Sequence, residues 1–259
     1  MNHALLVFLI AFGLLAGMVS FMEIGRRLAA RRLKDARGAG EGITAVDGAV
    51  FGLLGLLIAF TFSGASARFD TRRQLIVEEA NAIGTAYLRL DLLPAAAQPP
   101  LRDSFRRYLD SRLAVYQKLP DIAAAKRELA ESNRLQREIW REAVYAVRAE
   151  DAPPAAAILL LSALNAMIDI TTTRTMATQM HPPMVVFVML VGLALAASLL
   201  AGYGMAGSKM RSWFHMLGFA LAIATAVYVV LDLEYPRLGL IRVDAFDQAL
   251  VDLRESMNR

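Results

Sequence analysis

The sequence predicts an all-α membrane protein: four transmembrane helices with a helical extramembrane domain inserted between the second and third. Three observations carry this. The 259 residues are 56% hydrophobic with a mean hydropathy of +0.43, too apolar for a typical soluble domain. Several charge-free apolar runs are long enough to cross a bilayer as helices, which takes about 20 residues. No stretch alternates apolar and polar residues with the period of two that a half-buried strand needs.

The first span is read within residues 1–24, on the apolar run Ala4 to Met22. The opening Met-Asn-His has no Lys or Arg, and no small-residue cleavage site follows the run. A retained span is therefore expected, not a cleaved signal peptide. Glu23 closes it and has Arg26 and Arg27 within pairing distance on a helix. Residues 25–46 read as a basic loop, with Arg26, Arg27, Arg31, Arg32, Lys34 and Arg37. Gly38 to Gly42 (GAGEG) reads as a turn; it follows no strand, so a phosphate-binding loop is rejected.

Residues 47–93 read as the second span continuing as a long helix outside the membrane, with Asp47 as its cap. Gly48 to Ala67 carries no charge, and no proline interrupts the run to Arg89. Gly48, Gly52, Gly55, Ala59, Ser63 and Ser66 are spaced by three or four. At 100° per residue they fall in a sector of about 80°. Such a seam of small residues lets another helix approach closely in lipid. Beside it lie Leu53, Leu56 and Phe60. The same adjacent face continues as Thr71, Gln74, Glu78, Asn81, Thr85 and Arg89. An apolar constriction that opens into a polar lining suits a pore. A seam packed on a neighbouring span with a solvated polar stripe is the simpler alternative. Arg68, Arg72 and Glu79 share another face and are read as ion pairs at the membrane edge.

Residues 94–182 read as the helical extramembrane domain, entered through Pro94, Pro99 and Pro100. Leu101, Phe105, Tyr108, Leu109, Leu113 and Tyr116 form one apolar stripe. Pro120 ends that helix and Asp121 can cap the next, in which Ile122, Ala125, Leu129, Ser132, Gln136, Ile139, Ala143 and Ala146 keep a rough heptad rhythm. Residues 155–177 begin apolar for about 14 residues and turn polar at Asn165, Asp169 and the threonines 171–173, too short a run for a standard span. A buried helix is the reading, with a fifth span as the alternative and hydroxyls bonding their own helix.

The third span is read over 183–207 and the fourth over 213–235, joined by a link with Lys209 and Arg211 and anchored by Trp213. Asp232 and Glu234 close the fourth; they pair with Arg237 and Arg242 or hold a cation. Residues 236–259 read as a short amphipathic helix with Phe246, Leu250 and Leu253 on one side.

Composition excludes several functions. With no cysteine there are no disulfides, thiolate metal sites or Cys nucleophiles. The net charge of +4 forms no basic patch interleaved with aromatics, so no nucleic acid is expected. His3, His181 and His215 are scattered, and there is no HExxH, P-loop or Ser-His-Asp spacing. No catalytic residue, metal or cofactor is expected. The short loops carry the inside charges. Six cationic residues between the first two spans and two between the last two lean the central domain to the periplasmic side of a bacterial inner membrane.

The run AFTFSGASARFDTRRQLIVEEANAIGTAYLRLDLLP (residues 59–94) and the ending LDLEYPRLGLIRVD (residues 231–244) resemble the bacterial bestrophin-like membrane proteins. True bestrophins are pentameric anion channels. The resemblance implies a homo-oligomer, a pentamer if it holds in full, with the second span around a central axis, inorganic ions as the species moved, and Phe60 near a constriction. Bestrophins have a cytoplasmic central domain, opposite to the charge balance here. No acidic cluster matches their calcium clasp. The competing function is a non-conducting sensor or scaffold acting through its helical domain.

Overall fold

The computed structural model describes residues 3–35, 41–207 and 213–258. These residues form helices and short 3-10 segments joined by turns and irregular links, with no strand among them. Eight helices follow in order: α1 (His3–Asp35), α2 (Glu41–Leu88), α3 (Gln98–Gln117), α4 (Ile122–Ala146), α5 (Pro154–Ala177), α6 (Met184–Gly204), α7 (Trp213–Glu234) and α8 (Gln248–Ser256). The chain divides into two compact units, Met1–Ala67 with His181–Leu240, and Arg68–Met180 with Ile241–Arg259. Among the described residues five helices are long and apolar enough to cross a membrane: α1, α2, α5, α6 and α7.

In the first unit α1 packs on α6 and α7. Leu14, Met18, Met22, Leu54, Leu190, Ala194, Ala197 and Met216 form its core. Two glycines set how closely α1 and α6 approach. A Cβ built on Gly25 lies 2.0 Å from the Leu199 carbonyl oxygen, and one built on Gly202 lies 1.9 Å from that of Met22. No side chain fits at either place, so these helices meet backbone to backbone, as small residues allow in lipid.

In the second unit the latter half of α2 packs with α3, α4, α5 and α8 around Ile83, Leu90, Phe105, Tyr108, Leu109, Ile139, Leu160, Leu164 and Leu250. Asp121 starts α4 by accepting a bond from the Ala124 backbone N–H at 2.9 Å, as an N-cap should. Leu160, Leu164 and Met167 of α5 are fully buried in this core. The α5 hydroxyls bond back to their own helix, Thr173 to the Asp169 carbonyl at 3.0 Å and Thr175 to that of Thr171 at 2.8 Å.

Several expectations are corrected. Residues 25–46 are not a loop at either end: α1 runs on to Asp35 and α2 has begun by Glu41. Arg and Lys are good helix formers, so a basic stretch after a span simply continues it. Asp47 lies inside α2 and caps nothing. Ile122, placed in the heptad stripe, is 50% exposed, whereas Leu135, outside it, is 2% exposed. Residues 38–40 of the expected turn, together with Arg37, Lys209 and Arg211, lie outside the described residues.

Candidate functional site

The latter half of α2 has two sides with opposite surroundings. Its back is buried in the second unit: Arg72, Leu75, Ile76, Glu79, Ile83 and Ala86 recur at helical spacing. Arg72 donates from Nε to the Ala177 carbonyl at 3.1 Å and from Nη2 to that of Met180 at 3.0 Å. Those carbonyls belong to the end of α5 and the residues just past it, where a cation offsets the negative end of the helix dipole.

Glu79 is fully buried and holds two guanidiniums. Arg112 of α3 donates from Nε to Oε1 at 2.5 Å, and Arg174 of α5 bonds Oε2. Arg174 reaches on to Asp247 at 3.1 Å and lies over the Tyr116 ring, 3.9 Å from its centroid. Arg112 also donates to the Tyr116 hydroxyl at 3.0 Å, while its Nη1 is buried with no hydrogen-bond partner. Burial by itself would raise the Glu79 carboxyl, but the two guanidiniums outweigh it and hold the group below its ordinary range. Next to this cluster the Tyr108 hydroxyl shares a buried network with Thr171 at 2.9 Å and Gln136 at 2.9 Å. Burial pushes that phenol up to about 12.

The C-terminal segment packs on the same unit. Leu250 is fully buried in its core. Arg254 clasps Asp110 at 2.7 and 3.1 Å, the Met257 carbonyl accepts from Arg106 Nε at 3.1 Å, and the Arg73 guanidinium sits 4.2 Å from the Phe246 ring centroid.

The other side of α2 is uncovered. In the first unit Leu53, Leu56 and Phe60 are 55, 51 and 67% exposed. In the second unit Thr71, Gln74, Glu78, Asn81 and Thr85 are exposed. The small residues of the seam are open too. Gly48, Gly52, Gly55, Ala59 and Ser63 are exposed and Ser66 is half-buried. A Cβ added at Gly48, Gly52 or Gly55 would meet nothing within 4 Å. Among the described residues, then, Gly48, Gly52 and Gly55 of the seam pack on no other helix.

A model of the Bestrophin-like domain matches residues 6–245. The chain belongs to the Bestrophin-like family. The sequence matches none of the curated proteins. Its fold is that of crystal structures of a bacterial bestrophin homolog from Klebsiella pneumoniae. One, phased on zinc, is 16% identical, covers 95% of this chain and 98% of its own, and has a TM-score of 0.69. A single-site variant of that homolog is 15% identical, covers 96 and 98%, and has a TM-score of 0.73. This is an integral membrane protein of the Bestrophin-like family, all-helical in its described residues.

The remaining candidate residues of this Bestrophin-like chain fall in separate places. Glu23 accepts from Arg26 at 2.9 and 3.0 Å and from Arg27 at 2.7 Å. Arg68 is half-buried. Arg72 and Glu79, expected as edge-of-membrane ion pairs, are instead buried in the second unit. Asp232 and Glu234 are both buried. Asp232 accepts the Leu240 N–H at 3.0 and 3.1 Å and fills the space beside Gly239, where an added Cβ would lie 2.0 Å from its carboxylate. Glu234 meets His181 Nδ1 at 3.2 Å, and the His181 ring stacks on Tyr235 with centroids 4.5 Å apart. Arg242 pairs with Asp244 at 2.6 Å. Among the described residues no group of three or more His, Cys, Asp or Glu is placed to hold a metal.

Arg112 and Arg174 escaped the reading of the sequence. The signal was present: Arg112 falls seven residues after Phe105 and four after Tyr108, and Arg174 falls seven after Met167. Both are charges in the register of a buried stripe.

Proposed function

We propose that this chain is one subunit of a homo-oligomeric ion channel in which α2 lines the passage. One observation carries the reading: α2 is the least covered of the candidate spans. Only 11% of its apolar window is buried by its own chain, against 22–39% for the other four. A lipid-facing span would be bare and apolar too, so what favours a lining is how the same side continues beyond the membrane. Here the bare side becomes Thr71, Gln74, Glu78, Asn81 and Thr85, groups that need water. The unused seam from Gly48 to Gly55 suits close approach of a neighbouring subunit. Membership of the Bestrophin-like family supports the same reading at the level of the family.

In this reading α1, the first half of α2, α6 and α7 span the membrane. α5 stays in the second unit, because Leu160, Leu164 and Met167 are engaged there. The basic end of α1 faces the cytoplasm and the second unit the periplasm. The chain has no native cysteine, so a single Cys placed at exposed Asp103 reports the side by its reaction with an impermeant thiol reagent. Labelling only after the cells are broken reverses the orientation.

The experiment on function is reconstitution of purified protein in planar bilayers. Ion currents are expected. Protein that is intact and oligomeric by light scattering, yet silent across ions and voltages, refutes the channel. A partner co-purifying with residues 94–182 would then favour a sensor or scaffold.

A further inference from the structure

A lining helix must also treat the two signs of charge differently or alike, and the uncovered side of α2 in the second unit is not neutral. Thr71, Gln74, Asn81 and Thr85 carry no charge. Glu78 does. It is exposed and has no ion-pair partner among the described residues. The neighbouring charges are otherwise occupied. Asp70 pairs with Arg73 at 3.0 Å. Arg72 is spent on the α5 carbonyls, and Glu79 on Arg112 and Arg174. Arg68 is half-buried and engaged. Arg89 lies past the end of α2 and donates to the Leu159 carbonyl at 2.5 Å.

We propose that Glu78 is the charge-selecting residue of the lining and that the permeating ion is a cation. This rests on the channel reading above. Symmetry would set one Glu78 per subunit at one level of the passage. A ring of carboxylates concentrates cations and repels anions. Exposed charges are screened over about 8 Å at physiological salt, so the preference weakens as salt is raised.

The test is the reversal potential of reconstituted channels in a KCl gradient. With a tenfold gradient the wild-type current reverses on the potassium side of zero, towards an ideal limit of about 59 mV. Glu78→Gln lowers the potassium-to-chloride permeability ratio by roughly tenfold, as expected from losing a few close Coulomb contacts in water. Glu78→Asp keeps the preference, and Glu78→Lys moves the reversal to the chloride side. Should the Glu78 variants fail to assemble, Gln74→Glu in the wild-type background adds a second carboxylate on the same side and raises the ratio. A wild-type current that reverses on the chloride side overturns the inference. So does a reversal potential that neither Glu78→Gln nor Gln74→Glu changes. Either result leaves the channel reading standing. Absence of any wild-type current instead removes the channel reading, and this inference with it.

Discussion

Replacing Glu79 by Met tests whether the buried ion cluster holds the second unit together. The change leaves Arg112 fully buried, with Nη2 on the Tyr116 hydroxyl at 3.0 Å and Nη1 still unpartnered. Arg174 fares better, because Asp247 remains at 3.1 Å. Stranding one member of a buried ion pair costs about 3–5 kcal/mol. In a protein of this size that lowers the unfolding midpoint on the order of 10 °C. Removing both charges is different. Glu79→Met with Arg112→Met leaves no stranded guanidinium on α3, and apolar replacements of similar volume are close to neutral. The double variant should therefore recover about 2 kcal/mol or more of the summed single losses. Trp140 packs against the core of the second unit, and the only other tryptophan is Trp213. In a Trp213→Phe background its fluorescence follows this unit alone during heating in detergent. A Glu79→Met cost below about 1 kcal/mol, or strictly additive singles, would refute the reasoning. Acid provides a second reading. The folded Glu79 carboxyl lies below its ordinary 4.5, so its contribution is complete above that value. It is lost as pH falls through the lower folded value, and Glu79→Gln should flatten this acid limb.

Two glycine substitutions should part company. Gly202→Val drives a side chain into the Met22 backbone and should markedly destabilise the α1–α6 pair on thermal unfolding, whereas Gly52→Ala, with nothing within 4 Å, should leave the subunit intact. Equal losses would contradict the packing described. Phe60→Ala, at a 67% exposed position, should change conductance while native mass spectrometry shows an unchanged oligomer; unaltered currents would remove Phe60 as a constriction.

Much of the helical organisation was legible because hydropathy and proline placement act locally. α6 (Met184–Gly204) and α7 (Trp213–Glu234) fall within a few residues of where the apolar runs put them. Local chemistry misled where a polar stretch kept helical propensity. Arg-rich 26–34 reads as a loop by charge, yet nothing in it breaks a helix, and α1 continues. Asp47 has the chemistry of a cap, but a cap requires a helix start, and α2 starts earlier. The buried cluster was the least legible part. Glu79 bonds residues 33 and 95 positions away, and helical spacing alone says nothing about such distant partners. Arg112 and Arg174 were nonetheless detectable as charges standing in apolar registers. Such charges are costly unless paired, so each implied a buried carboxylate somewhere in the chain.

The two adjacent glutamates of α2 have opposite fates, and the first fate determines the second. Successive residues on a helix point about 100° apart. If α2 were rolled by that amount, Glu79 would leave its two guanidiniums and Glu78 or Ala80 would face them. Ala80 would leave both charges stranded, and Glu78 would meet them only by carrying the whole apolar back, from Leu75 to Ala86, out of the core. Apolar contacts alone tolerate small rolls, because one methyl can replace another. A two-pronged ion pair does not, because each carboxylate oxygen is matched to a particular nitrogen. Glu79 therefore acts as the rotational lock of α2, and the side that carries Glu78 is presented outward because the opposite side is fixed. A spin label at position 78 reads this directly. Its water accessibility should fall and its spectrum broaden in Glu79→Met as α2 gains freedom to roll. An unchanged spectrum in a folded Glu79→Met variant would show that the apolar contacts set the rotation by themselves.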